Sequence, residues 1–229
     1  MWHRALLAAL SIVVACSAAA AAPATRVYSD AGNIFIENNG ARTKLTSSEQ
    51  DIDPVLAPSG TFVVFTRQGR GRSARAYSLG QPCMTSPKPD ELRQVNVDGS
   101  GDRLLLSGRK GEPQEQLCDF RSKQFNSDGQ RLYFLTPGWM TLAALHVYDM
   151  RAREDHFVLP ATDLLVLSFC ANKYKDDLAV RSRRDFLFGG SYDWYWLYDA
   201  TGKKELGPIG PFDNPDDIVK LAHDEWCKP

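Results

Sequence analysis

The chain has 229 residues, 43% hydrophobic and 24% charged, with 27 Lys and Arg against 28 Asp and Glu. That length holds one or two domains, and the composition is ordinary for a globular protein. A net charge of −1 excludes polyanion binding driven by bulk charge, so contact with nucleic acid would need a local patch.

Residues 1–24 read as a secretory signal. Met-Trp-His-Arg is a short positive start, and the apolar run Ala5–Ala15 is too short to span a bilayer as a stable helix. Ala22-Pro23-Ala24 is an A-x-A cleavage site that would start the mature chain at Thr25. Val13-Val14-Ala15-Cys16 also resembles a bacterial lipoprotein box, in which residues 1–15 are removed and Cys16 carries the lipid. Both readings make this an exported bacterial protein, either periplasmic or an outer-membrane lipoprotein. Four cysteines remain beyond the signal: Cys83, Cys118, Cys170 and Cys227. An even number in an exported protein points to disulfides.

Two kinds of β-hairpin then alternate. Asn33–Leu45, Glu91–Leu106 and Tyr195–Leu206 each run strand, polar Gly turn, strand ending in Leu; Ala144–Leu159 is a copy without the Gly. The Asn-Asn-Gly, Asp-Gly and Thr-Gly steps suit positions needing positive φ. The other kind is "DPVLAPSGTFVVFT" (Asp53–Thr66). It recurs as "KQFNSDGQRLYFLT" (Lys123–Thr136), with Gly60 and Gly129 in register 69 positions apart. A weaker copy covers Leu167–Ser182. The unit is therefore four short strands in roughly fifty residues, the size of a propeller blade.

The segments "DIDPVLAPSGTFVVFTR", "ELRQVNVDGSGDRLLL" and "FNSDGQRLYFLT" resemble the TolB-type, WD-like propeller repeat. The resemblance covers Arg26–Gly207 and implies an all-β fold over residues 25–229. Its members include envelope scaffolds and the non-catalytic halves of peptidases, so it implies fold more firmly than function. With strands named A to D in each blade, three complete sets begin near Asp53, Asp119 and Leu164. The start of the mature chain supplies B, C and D, and Asp216–His223 is expected to supply the missing A strand. That would close a ring of four four-stranded blades through both termini. The alternative is a helix at Asp216–His223, with the ring open or completed by a second copy, giving a monomer or a homodimer.

This layout places the B–C loops and A-strand starts on one face and the A–B and C–D turns on the other. It pairs Cys83 with Cys118 and Cys170 with Cys227, because a bridge needs Cα atoms within about 7 Å and a strand of five residues spans about 17 Å.

Catalytic and metal signals are poor. Gly190-Ser191-Tyr192-Asp193 lacks the closing Gly of a nucleophile elbow, and too little chain follows to build a hydrolase sheet. His146 and His156 lie on two arms of one hairpin without a Cys or carboxylate set to complete a metal site. Asp213, Asp216 and Asp217 lack the Gly spacing of a calcium loop. No enzyme activity, metal or cofactor is expected.

Three unusual B–C loops share a face: Arg67–Asp90, Pro137–Leu142 and Arg181–Trp194. Trp139, Phe186 and Phe188 give aromatic anchors beside arginines, residue types that dominate interfaces. Arg70, Arg72, Arg75, Trp139, Arg183, Arg184 and Phe186 are therefore the expected contact residues. The expected partner is an envelope protein or anionic envelope component, not nucleic acid, with membrane contact only through a lipid on Cys16. Two other readings stand beside it. One is a carbohydrate or small ligand in the central channel, where Asp53, Asp119 and Asp163 start the A strands. The other is a purely structural lipoprotein.

Overall fold

The computed structural model describes residues 25–69 and 88–228. The first sheet holds β1 (Arg26–Asp30), β2 (Asn33–Asn38) and β3 (Ala41–Lys44). The second holds β4 (Asp51–Leu56), β5 (Phe62–Arg67), β6 (Glu91–Asn96) and β7 (Arg103–Ser107). The third holds β8 (Arg121–Phe125), β9 (Arg131–Pro137), β10 (Ala143–Asp149) and β11 (Glu154–Ala161). The fourth holds β12 (Asp163–Val166), β13 (Leu178–Asp185), β14 (Ser191–Tyr198) and β15 (Glu205–Gly210). Strands within a sheet are adjacent in sequence and antiparallel. The last three sheets are complete blades; the first has three strands.

Period-two alternation explains the stacking. On β5, Val63 and Phe65 pack with Ile34, Ile36 and Leu45 of the first blade. Val64, between them, packs with Leu132, Phe134 and Tyr148 of the third. On β9, Tyr133 and Leu135 turn the other way, onto Leu164, Val166, Leu178 and Val180 of the fourth. A B strand buried on both faces is apolar throughout its middle, as β5 and β9 are. Full burial of one such side chain contributes about 1.5–3 kcal/mol, and a blade obtains it only from its neighbours.

The repeat is also exact in backbone terms at two positions 69 residues apart. Asp53 and Ser122 have φ of 49° and 50° at matching register shifts in β4 and β8. Gly60 and Gly129, with φ of 69° and 72°, close matching turns onto the carbonyls of Ala57 and Asn126.

Among the described residues no strand closes the ring. Asp216–His223 is helical: α1 (Pro215–Leu221) runs into one π-helical turn, Ala222–Trp226. The Asn214 side chain accepts from the Asp216 amide, Pro215 opens the helix, Asp216 and Asp217 lie in its first turn and Lys220 in its last. Each choice favours a helix end as placed. Ile218 packs on Ala179 and Tyr195, and Ala222 on Leu167 and Cys170. The helix therefore covers the face of the fourth blade that a closing blade would have met. Cys170 and Cys227 form a disulfide with Cα atoms 4.5 Å apart, which ties this segment down. Cys118 is also disulfide-bonded; Cys83, its expected partner, lies outside the described residues.

The opposite end of the array is covered by charge. On the first blade's outer face Tyr28 and Phe35 stack with centroids 5.8 Å apart, and the Arg42 guanidinium lies 3.7 Å over Phe35. Arg42 meets Asp30 at 2.6 Å and Arg26 meets Glu37 at 3.4 Å. A polar outer face is what a terminal repeat needs.

Candidate functional site

Strand direction brings the B–C hairpin tips and the A-strand starts to one face. A cavity of about 350 Å³ shows this directly. Asp119 and Arg121, at the start of the third blade's A strand, line it with Trp139, Met140 and Thr141 of the β9–β10 loop and Thr162 before β12. Arg121 and Asp119 meet at 3.3 Å beneath the loop. Trp139 is partly exposed and packs edge-on to Phe157.

The β13–β14 hairpin is the most prominent feature of this face. The inner strand begins at Asp163, opposite Arg181, and the outer strand ends at Gly210, opposite Tyr195. β13 and β14 continue pairing to Asp185 and Ser191. A two-stranded ribbon thus projects four residues past its sheet, about 13 Å at 3.3 Å per residue. Phe186 and Gly190 close its turn, and Gly189 and Gly190 have φ of 99° and 84°. Phe186 rests on Tyr192, with centroids 4.6 Å apart.

The arginines of the ribbon are held by neighbouring side chains, Arg184 back toward the sheet and Arg183 at Ser191 near the turn. The Arg184 guanidinium lies 3.4 Å over the Trp196 ring and also pairs with Glu205. Arg183 donates through Nε to Ser191 Oγ at 2.8 Å. Arg181 faces Asp213 at 3.6 Å. The tip itself is apolar: Leu187 and Phe188 are 90% and 97% exposed, and Phe186 is more than half exposed. Met140, on the neighbouring tip, is fully exposed.

Of the expected contact residues, Trp139, Arg183, Arg184 and Phe186 are placed on this face, with Arg184 in structural contacts. Arg70, Arg72 and Arg75 lie outside the described residues, as does Cys16. The ends of their loop are described: the buried Asp90 carboxylate accepts from the Gly69 amide at 2.8 Å and from the Asp119 amide at 2.7 Å. Arg67 makes a two-pronged contact with Asp51 and a third bond to Asp102, which raise its pKa against the opposing effect of burial.

The A-strand aspartates also have partners. Lys123 Nζ, almost fully buried, donates to Asp53 Oδ2, Thr66 Oγ1 and the Phe120 carbonyl at 2.6–2.9 Å. Burial lowers its pKa, against the pull of Asp53. Tyr195 donates to Asp163 at 2.6 Å, and burial with that carboxylate raises the phenol pKa. His146 is buried beneath Phe134 and Phe157, whereas His156, on the opposite side of the sheet, is exposed. Met140 and Leu187 are not singled out by the sequence, and Phe188 is an expected aromatic anchor outside the contact set. The signal for Leu187 is Phe-Leu-Phe set directly before Gly-Gly, which puts consecutive apolar side chains at a hairpin turn.

No family model and no curated protein matches the sequence. Solved structures match the fold. TolB from Acinetobacter baumannii is 14% identical, with a TM-score of 0.51 over 80% of this chain and 38% of that one. The β-propeller domain of the Trilobed protease from Pyrococcus furiosus, described as having an open velcro topology, is 14% identical, with a TM-score of 0.50 over 79% and 49%. An oligogalacturonate lyase in complex with manganese is 12% identical, with a TM-score of 0.51 over 80% and 43%. The chain spans less than half the length of these structures. At such identity the likeness establishes the TolB-type propeller architecture and nothing about activity.

Proposed function

We propose that this is an exported, non-catalytic propeller that binds another component of the cell envelope through its B–C face. The observation that carries the reading is the concentration of exposed apolar side chains there. The three most exposed large apolar residues among those described, Met140, Leu187 and Phe188, all sit on two neighbouring B–C tips. Exposed apolar clusters of this kind mark interaction sites. The covered outer faces of the first and last blades support a chain that acts as a monomer. Periplasmic or lipid-anchored placement belongs to the same proposal. Crosslinking of the native protein in cells, followed by identification of the joined peptides, tests it: partner peptides on Pro137–Leu142 or Arg181–Trp194 support the reading, and crosslinks confined to the A–B face overturn it.

A second reading is favoured by the Asp119–Arg121–Trp139 cavity. An aromatic wall beside a carboxylate and a guanidinium suits a carbohydrate or other small polar ligand. Calorimetry with a panel of soluble oligosaccharides tests it: heats lost in Trp139→Ala support ligand binding there, and no heat from any of them opposes it.

A further inference from the structure

We infer that the β13–β14 ribbon docks the protein onto a phospholipid bilayer, inserting Phe186, Leu187 and Phe188 into its interface. This rests on the B–C face being the binding face and names its partner as lipid.

The ribbon stands clear of its sheet because β12 and β15 stop at the level of Arg181 and Tyr195 while β13 and β14 go on. Its end is a convex knob whose apolar side chains offer no hydrogen-bonding group. A rigid protein surface accepts such a knob only through a matching pit, whereas the acyl–headgroup boundary deforms around it. The charge distribution fits the same partner. Phe186–Tyr192 carries no charge, and neither does Pro137–Leu142 on the adjacent tip. Charges begin one step back, with Asp185, Arg184 and Arg183 on one arm and Asp193 on the other. Tyr192 and Trp194, with rings 5.4 Å apart, lie among these charges, opposite Arg184 and Ser182. An apolar tip followed by a collar of aromatic and charged side chains matches the passage from the acyl boundary to the headgroup layer of a bilayer. The projection of about 13 Å exceeds the 5–10 Å depth of interfacial insertion, so the sheets stay in water. The collar holds both signs of charge, so apolar insertion is the driving interaction and a negatively charged lipid is not required.

The test uses the full exported chain carrying Cys16→Ala, so that no acyl group contributes. Vesicles of phosphatidylcholine, and of phosphatidylethanolamine with phosphatidylglycerol, are sedimented with it at low and high salt. Binding to both kinds, with little salt dependence, is expected. Leu187→Ser/Phe188→Ser should weaken it by about tenfold or more while leaving the melting temperature unchanged, because both side chains are exposed. A tryptophan in Leu187→Trp should be quenched by brominated acyl chains beyond the quenching of the parent. No binding to either vesicle, binding that the double variant retains, or binding only to the anionic vesicle and lost in salt would each overturn the inference. Should vesicle binding fail while cellular crosslinks from this face still capture an envelope protein, lipid docking falls and the B–C face reading stands. Should both fail, both fall.

Discussion

The Lys123 ammonium lies 2.6 Å from an Asp53 carboxylate oxygen 70 residues away, and so ties the inner strand of the third blade to that of the second. The same Nζ satisfies the Thr66 hydroxyl and the Phe120 carbonyl. Removing it leaves buried polar groups short of a donor and opens a void. Lys123→Ala should therefore cost about 3 kcal/mol, read by urea denaturation. Asp53→Asn should cost about 1.5–3 kcal/mol, because the buried Lys123 ammonium loses its carboxylate even though the Asp53 side chain is half exposed.

His146 gives the fold a defined pH response. Burial pushes its pKa down to about 4; Arg109 also lowers it, and Asp155 partly opposes the shift. Neither ring nitrogen has a hydrogen-bond partner among the described residues. Below pH 6.5 the unfolded chain takes up a proton that the folded chain refuses until about pH 4. The stability from this site is thus complete above pH 6.5 and falls by about 3 kcal/mol on the way to pH 4. His146→Leu should flatten the melting temperature between pH 7 and pH 5, beyond any change at pH 7. An unaltered slope would show that His146 does not carry it.

The helical cap should matter more than its length suggests. Ile218 fills the space over Ala179 and Tyr195, and Ile218→Asp puts a charge there. Exposure of the fourth blade's outer face should appear as dimers or larger species in size-exclusion chromatography, with a large drop in melting temperature. The Cys170–Cys227 bridge closes a loop across 57 residues, which corresponds to about 4 kcal/mol in the chain-entropy account. Cys227→Ser should lose much of that.

Gly32 tests the turn between β1 and β2. Its φ is 71°, and a methyl group there would overlap the Glu49 backbone carbonyl. Gly32→Ala should cost about 2–3 kcal/mol, measured by chemical denaturation.

Most of the fold was legible because the repeat carries its own check. Gly60 and Gly129 mark the same turn, and alternation about Val63–Phe65 and Leu132–Phe134 marks a strand buried on both faces. The C-terminal segment was misread for a physical reason. "DDIVKLAH" is too short for apolar spacing to separate period two from 3.6. Asn214-Pro215 before it, a cap followed by a first-turn proline, was the deciding signal. At the site, sequence order placed the B–C loops on one face and picked out Trp139, Phe186 and Phe188. It did not show that β12 and β15 stop short of the hairpin, and that difference in strand length is what lifts Leu187 and Phe188 clear. Nor did it show that Arg184 folds back onto Trp196, since the contact joins side chains on opposite strands four positions apart along the ribbon.

The most direct test of the account compares the two faces in living cells. A photoreactive phenylalanine analogue replaces Phe188 on the B–C side or Asp128 on the A–B side, and adducts are identified after irradiation. The account predicts abundant envelope adducts, to protein or lipid, from position 188 and few from position 128. Equal yields, or adducts from position 128 alone, would contradict it.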